Sequence, residues 1–499
     1  MKLLYIPLDE RPCNYDYPAF VAEGNQSIDL IRPEKSLLGE KKKSAPVDAL
    51  WSFIFDTIKD VDAAVLSMDM LLFGGLIPSR IHTLSKETVD QYVENLRKLR
   101  DANPAIKLYV SQCIMRCPSY NSSEEEPNYY ADYGYAIFRR KYLLDELERF
   151  GLADEQLKEL KSIEIPTDVL SDYETRRAFN LHYNIKIAEL VKEGVLDFLV
   201  IPQDDSAPFG YTALAQKEVV AYLSKHHLET RVNIYPGADE VGLSLIARCL
   251  NEINASYTKV YAFYASTKGP LITPLYEDRP FAESLKYHLD VTRSYLVSTP
   301  QEADYILAIN TPGEIMQEAS QQNERDITYT SHRNLLYFVK EIARYIEQGY
   351  KVAICDSAYA NGADIQLIKY LDSFHLLNRL HAYAGWNTNC NALGTVLSMA
   401  IYNLQSRQHE RSYHLVYRIL EDYIYQALVR QEVIREDLPI ARLSYYNFKN
   451  KESYVTDVIT QRIMNYYTLM NLSTVYPIKS LQTFMPWHRM FEVRFLLDI

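Results

Sequence analysis

A chain of 499 residues, 47% hydrophobic and 24% charged, is long enough for more than one core, since a single core stops growing at roughly 250–300 residues. Its formal net charge of −12 argues against nucleic acid or an anionic membrane as a partner, because both need a net basic face. No apolar stretch reaches the roughly 18 residues of a membrane span, and the run before Asp9 is too short for a signal peptide, so a cytoplasmic location is expected.

The first predicted strand, residues 2–8, runs into P-L-D-E-R-P-C-N-Y, which carries Asp9, Arg11 and Asn14. Lys41-Lys42-Lys43 reads as a solvated loop. After a helical pattern over 45–59, a second strand (63–67) enters S-M-D-M-L-L-F-G-G-L-I-P-S-R, with Asp69, the Gly74-Gly75 pair and Arg80. Two glycines in succession permit positive φ or a close approach of backbone to ligand. Residues 86–100 form an amphipathic helix pattern, with Val89, Val93 and Leu96 at helical spacing. The third strand (107–111) leads to C-I-M-R-C-P-S-Y-N-S-S-E-E-E-P, which reads as a long surface loop. Helical patterns over 134–150 and 172–193 precede a fourth strand at 197–201, where Pro202 stops the hydrogen-bond ladder just ahead of Asp204-Asp205. Pro208 and Gly210 then punctuate the entry to a helix over 211–225.

A fifth strand (231–235) ends in P-G-A-D-E-V-G, placing Asp239 and Glu240 at the start of a helix over 241–253, where acids are favoured by the helix dipole. A sixth strand spans 259–264, and Thr299-Pro300-Gln301-Glu302 has the form of a capping box. The seventh strand (304–309) ends in N-T-P-G. The eighth (351–355) ends in D-S-A-Y-A-N-G-A-D, with Asp356 and Asn361, and the ninth (380–383) in A-G-W-N-T-N-C-N-A-L-G, with Trp386, Asn387 and Asn389. From about 400 to 480 the pattern is helical and Tyr-rich, and the alternation from Arg489 onward reads as a final strand.

Strand–loop–helix units in succession predict an α/β fold with parallel strands. The strand count favours a (β/α)8 barrel over two doubly wound α/β lobes. On that reading residues 1–400 are the α/β region, divided near 270–300 if there are two lobes, and 401–499 are a mostly helical C-terminal region ending in a strand.

Several chemistries lack their signatures: there is no G-x-S-x-G elbow, Walker A loop, G-x-G-x-x-G fingerprint or H-E-x-x-H helix. The six scattered cysteines lack CxxC spacing and read as reduced, packed thiols. What recurs is Asp, Asn and Arg at strand ends, where α/β folds meet their ligands. If all the strands share one sheet, these residues face one mouth. Two neighbouring carboxylates have their pKa values pushed apart and can serve as acid and base, as in glycoside hydrolysis. Asp204 and Asp205 are the candidate catalytic acids, with Asp239 or Glu240 as the alternative second carboxylate. Asp9, Arg11, Asp69, Arg80, Asn361, Asn387 and Asn389 are candidates for positioning a small-molecule or sugar substrate, with Trp386 as a stacking platform. Each motif also has a structural reading, as helix capping plus turn chemistry. No cofactor is implied. Two alternatives stand beside the glycosidase reading. One is a hydrolase or transferase using a divalent metal held by Asp9, Asp69, Asp204 and Asp356, and the other is a non-catalytic small-molecule binding protein.

The series P-L-D-E-R-P, S-M-D-M-L-L-F-G-G-L-I-P-S-R, I-P-Q-D-D-S-A-P-F-G, G-A-D-E-V-G, A-N-G-A-D, A-G-W-N-T-N-C-N-A-L-G and P-W-H-R-M-F-E resembles, in the same order and over essentially the whole chain, a bacterial family catalogued as domain of unknown function 4127. That resemblance implies one full-length architecture and carries no activity. The Asp-Asp pair after the fourth strand is also similar to the catalytic pair of β-N-acetylglucosaminidases that use the substrate's acetamido group as nucleophile. This second resemblance implies that Asp204 polarises the acetamido group and Asp205 is the general acid/base.

Overall fold

The computed structural model describes residues 1–25 and 27–499. Packing divides the chain into two units. The first comprises Met1–Glu10, Ile28–Leu245 and Tyr276–Asp278, and the second Arg11–Ser27, Ile246–Leu275 and Arg279–Ile499.

The first unit is built on six parallel strands: β1 (Lys2–Ile6), β2 (Asp29–Ile31), β3 (Ala63–Ser67), β4 (Lys107–Ser111), β5 (Phe198–Gln203) and β6 (Val232–Pro236). Their order is β2-β1-β3-β4-β5-β6. Leu3 to Ile6, all of β3 and all of β5 are buried, as expected of parallel strands covered on both faces. The order reverses between β1 and β3, and open α/β sheets bind ligands at such a switch point, beyond the carboxyl ends of the strands.

The second unit contains β7 (Thr258–Tyr264), β8 (Ser294–Leu296) and β9 (Tyr305–Asn310), the two-residue β10 (Gln317–Glu318), then β11 (Val352–Asp356), the two-residue β12 (Tyr359–Ala360) and β13 (Ala382–Ala384). Its main sheet is also parallel and runs β13-β11-β9-β7-β8. Counted from its own first strand, that is the order 2-1-3-4-5, the same as the first five strands of the other unit. β14 (Ser480–Phe484) and β15 (Arg494–Asp498) form an antiparallel hairpin. The Tyr-rich helices after residue 400 pack into this unit's core, where Leu415, Ile419, Ile424 and Ile459 join Ile306 and Ile354 of the sheet.

Both main sheets have free edges among the described residues, in place of the closed eight-stranded barrel that the strand count favoured. The nine expected strands all form. β2, β8, β10, β12 and β14 were not anticipated; all but β14 are only two or three residues long, too short an apolar run to read. Phe281–Val291 is a regular helix within the 270–299 interval that reads as irregular. The Thr299 capping box does not form: Thr299 precedes only the short 3-10 turn Pro300–Glu302, makes no side-chain cap to it, and donates from Oγ1 to the Glu302 carboxylate at 3.0 Å. Among the described residues no helix is long and apolar enough to cross a membrane, and all six cysteines are free thiols.

The loop after β3 sets the geometry used below. Asp69–Phe73 forms a single π-helical turn closed by Gly74 at φ +88°, whose amide reaches back to Met70 O at 2.9 Å. The chain then enters the helix Pro78–Ile81, which carries Arg80. A Cβ on Gly74 would lie 2.0 Å from Ser44 Oγ and 2.8 Å from the Ala45 amide nitrogen. Gly74→Ala is therefore expected to destabilise the protein by more than ~1 kcal/mol in urea unfolding. A midpoint equal to wild type would show that the turn does not need the left-handed conformation.

Candidate functional site

Two arginines gather the acids at the carboxyl ends of β3, β4 and β5. Arg80 is 1% exposed and ion-pairs with Asp204 at 2.7 Å, Glu126 at 3.2 Å and Glu125 at 3.3 Å. Arg116, in the loop after β4, pairs with Glu126 at 2.8 Å, Glu125 at 2.9 Å and Asp205 at 3.2 Å, and donates to Tyr120 Oη at 3.2 Å. Both aspartate side chains remain reachable from solvent, Asp204 at 22% exposed and Asp205 at 23%, whereas Glu126 is sealed at 1%. Asp205 sits at φ +47°, a left-handed conformation that costs an ordinary residue roughly 1–2 kcal/mol and that Asp tolerates better than most. The next residue anchors the loop, because Ser206 donates from both its amide and its hydroxyl to Tyr276 O, at 3.1 and 3.2 Å.

Four carboxylates around two guanidinium groups leave an excess of negative charge, and the shortest Arg80 contact to an aspartate goes to Asp204. Burial, and then the neighbouring Asp204 charge, push Asp205 up to about 7, against the opposing pull of Arg116. Asp69 is 2% exposed and accepts the Cys113 amide at 2.9 Å; burial raises it to about 6, opposed by that hydrogen bond and by Arg80. Glu240 is raised to about 8, again first by burial. Its carboxyl folds back over Gly237 to accept the Ala238 amide at 3.0 Å, so it stabilises the turn ahead of its own helix. Asp9 and Asp239 are both buried, at 2% and 8% exposure, after β1 and β6.

The remaining expected site residues belong to the second unit, so the strand-end residues are shared between two sheets. Arg11 pairs with Glu492 at 3.2 Å and lies over the Trp487 ring. Trp386 is 5% exposed and packs against Phe491, which leaves no open face for stacking. Asn361 and Asn387 both adopt positive φ; the Asn361 amide donates to Asn387 O at 3.0 Å and its side chain to Glu318 at 3.0 Å. Asn389 is buried at the start of the helix Asn389–Asn403. Asp356 accepts Asn310 and Tyr383, each at 2.8 Å, and the Asp364 amide at 2.9 Å. Arg333 ties Asp364 at 2.7 Å; Asn361, Asn387 and Glu318 are half-buried, and the other polar groups named here lie in the interior.

Sequence reasoning passed over Arg116, Tyr120, Glu125 and Glu126. Their stretch reads as a surface loop, yet Arg116 and Glu126 are buried in the site. The available signal was an Arg in the loop that follows a strand, with three consecutive acids further along the same loop. Lys41, read as part of a solvated loop, pairs with Glu124 at 2.5 Å on the same stretch. Of the proposed metal ligands, Asp204 is engaged by Arg80 and Asp356 lies in the second unit. Among the described residues no group of three or more His, Cys, Asp or Glu side chains converges as a metal site.

The chain belongs to the family described as a protein of unknown function, DUF4127, whose model matches residues 3–496. A search of curated proteins finds no match to it.

A carboxyl whose pKa is higher in the folded than in the unfolded chain contributes stability that is complete below the unfolded value and lost as pH rises through the folded one. For Asp205 that window runs from the ordinary carboxylate range up past about 7. Asp205→Asn is therefore expected to match wild type in urea midpoint near pH 4 and to gain on it steadily up to pH 8. A constant offset across this range would contradict the raised carboxyl.

Proposed function

We propose that the first unit is a glycoside hydrolase-like enzyme acting on a short or N-acetylated sugar, with Asp204 and Asp205 as its working pair. The observation that supports this reading is the asymmetry between the two neighbours. Asp204 is ion-paired with Arg80 at 2.7 Å, while Asp205 is pushed up to about 7 and still opens to solvent. An acid that keeps its proton near neutrality beside a second carboxylate paired to an arginine is the arrangement that glycosidic cleavage needs.

In this mechanism Asp205 donates its proton to the departing glycosidic oxygen as the C–O bond breaks. The substrate's acetamido oxygen closes on the anomeric carbon, and Asp204 accepts a hydrogen bond from the acetamido N–H as positive charge builds there. Arg116, 3.2 Å from Asp205, stabilises the carboxylate left behind. Asp205 then takes a proton from the water that opens the cyclic intermediate and returns to its starting state. Tyr120, 45% exposed with its hydroxyl 3.2 Å from Arg116, offers a ring that suits the apolar side of a sugar.

The test is a panel of aryl glycosides that includes N-acetylhexosaminides. Turnover is expected to fall as pH rises above about 7, where Asp205 loses its proton. Asp205→Asn is expected to lower kcat by at least ~100-fold with a much smaller change in KM, the usual scale of a general acid's contribution. Failure of every substrate in the panel, or an Asp205→Asn enzyme within about threefold of wild type, would overturn the reading.

A further inference from the structure

At the amino-terminal ends of β11 and β13 the second unit has a pocket of about 210 Å3, lined by Lys351, Arg379, His381, Gln408, Arg411 and Ser412 among others. Lys351 directly precedes β11, and Arg379 and His381 directly precede β13, so backbone pairing of the two strands brings the three together. The His381 amide donates to Val352 O at 2.8 Å and fixes that edge. The opposite wall is one face of the eleven-residue helix Gln408–Arg418, made by Gln408, Arg411, Ser412 and Leu415.

The charges here are one-sided. In a chain of net charge −12, no Asp or Glu lines this pocket among the described residues, and Lys351, Arg379 and Arg411 have no ion-pair partner there. The one acid in the first turn of this helix, Glu410, is paired with Arg407 and does not line the pocket. His381, 6% exposed, donates from Nε2 to Ala400 O at 2.9 Å. In the neutral ring Nδ1 is then a bare acceptor, and among the described residues it makes no hydrogen bond.

We infer that this pocket binds the phosphoryl group of a small phosphate-bearing ligand, with Lys351, Arg379 and Arg411 as its counter-charges. The class follows from the chemistry of the walls. Three cations match several anionic oxygens on one centre, and the His381 acceptor takes the hydrogen bond of a P–OH that a carboxylate cannot offer.

The experiment uses the full-length protein and reads the thermal midpoint against sodium phosphate, glycerol phosphate and sodium acetate at matched pH and ionic strength. Phosphate and glycerol phosphate are expected to give a saturable rise that acetate does not. Arg411→Gln and the doubly substituted Lys351→Gln/Arg379→Gln protein, each checked for native circular dichroism, are expected to raise the apparent Kd at least tenfold. Asp205→Asn, in the other unit, is expected to bind as wild type does. Tighter binding of glycerol phosphate than of phosphate assigns the ligand to a phosphomonoester, and the reverse to free phosphate. An equal response to acetate, a rise that does not saturate, or unchanged binding in both pocket variants would overturn the proposal.

Discussion

A guanidinium that is 1% exposed cannot shed its charge, so the acids around it have to be brought to it and kept there. Arg80 imposes this on the first unit. It joins the short helix after β3 to Glu125 and Glu126 of the loop after β4, and to Asp204 of the loop after β5. Three loops that would otherwise move independently are bound to one another at the carboxyl edge of the sheet. Removing one partner of such a buried pair typically costs about 3–5 kcal/mol, because the other is left charged and dry. The same arrangement sets the protonation pattern. With Asp204 committed to Arg80 and Glu126 shared between both arginines, the surplus negative charge is relieved at Asp205.

The two units repeat one strand order, yet they use the ends of their strands differently. In the second unit the acids after β11 are closed on all sides. Asp356 takes three hydrogen bonds, Arg333 holds Asp364, and both carboxylates are at most 2% exposed. A little deeper, Arg418 binds Glu421 and Asp422, and the Asp422 carboxylate accepts the Gly385 amide at 2.7 Å. Buried charges paired with one another in this way help to specify a unique core. In the first unit the corresponding edge keeps two carboxylates within reach of water. Strand-end acids are therefore sealed after β11 in one unit and open to solvent after β5 in the other, in a single chain.

Much of this was legible from local pattern. Strands such as 63–67 and 107–111 are continuous apolar runs because both faces are covered, and they appear where those runs fall. The helix 241–253 coincides with its predicted span. Asp204, Asp205, Asp69 and Arg80 were singled out because acids and arginines directly after strands in an α/β chain stand where ligands bind. Arg116, Glu125 and Glu126 were passed over because proline, serine and three acids in a row look solvated. Only the buried cations that attract them reverse that reading. Trp386 shows the opposite error: a ring beside two asparagines looks like a platform until Phe491, more than a hundred residues away, covers it.

The amino-acid order by itself determined the class of fold, the positions of most strands and helices, and which loops carry carboxylates, since these depend on periodicity and neighbours a few residues apart. Tertiary structure alone decided that the strands form two open sheets and not a barrel, because closure depends on which edges pair across long stretches of chain. It also decided which strand-end acids stay wet. Whether Asp205 faces solvent and Asp356 does not is set by the distant side chains that surround each one.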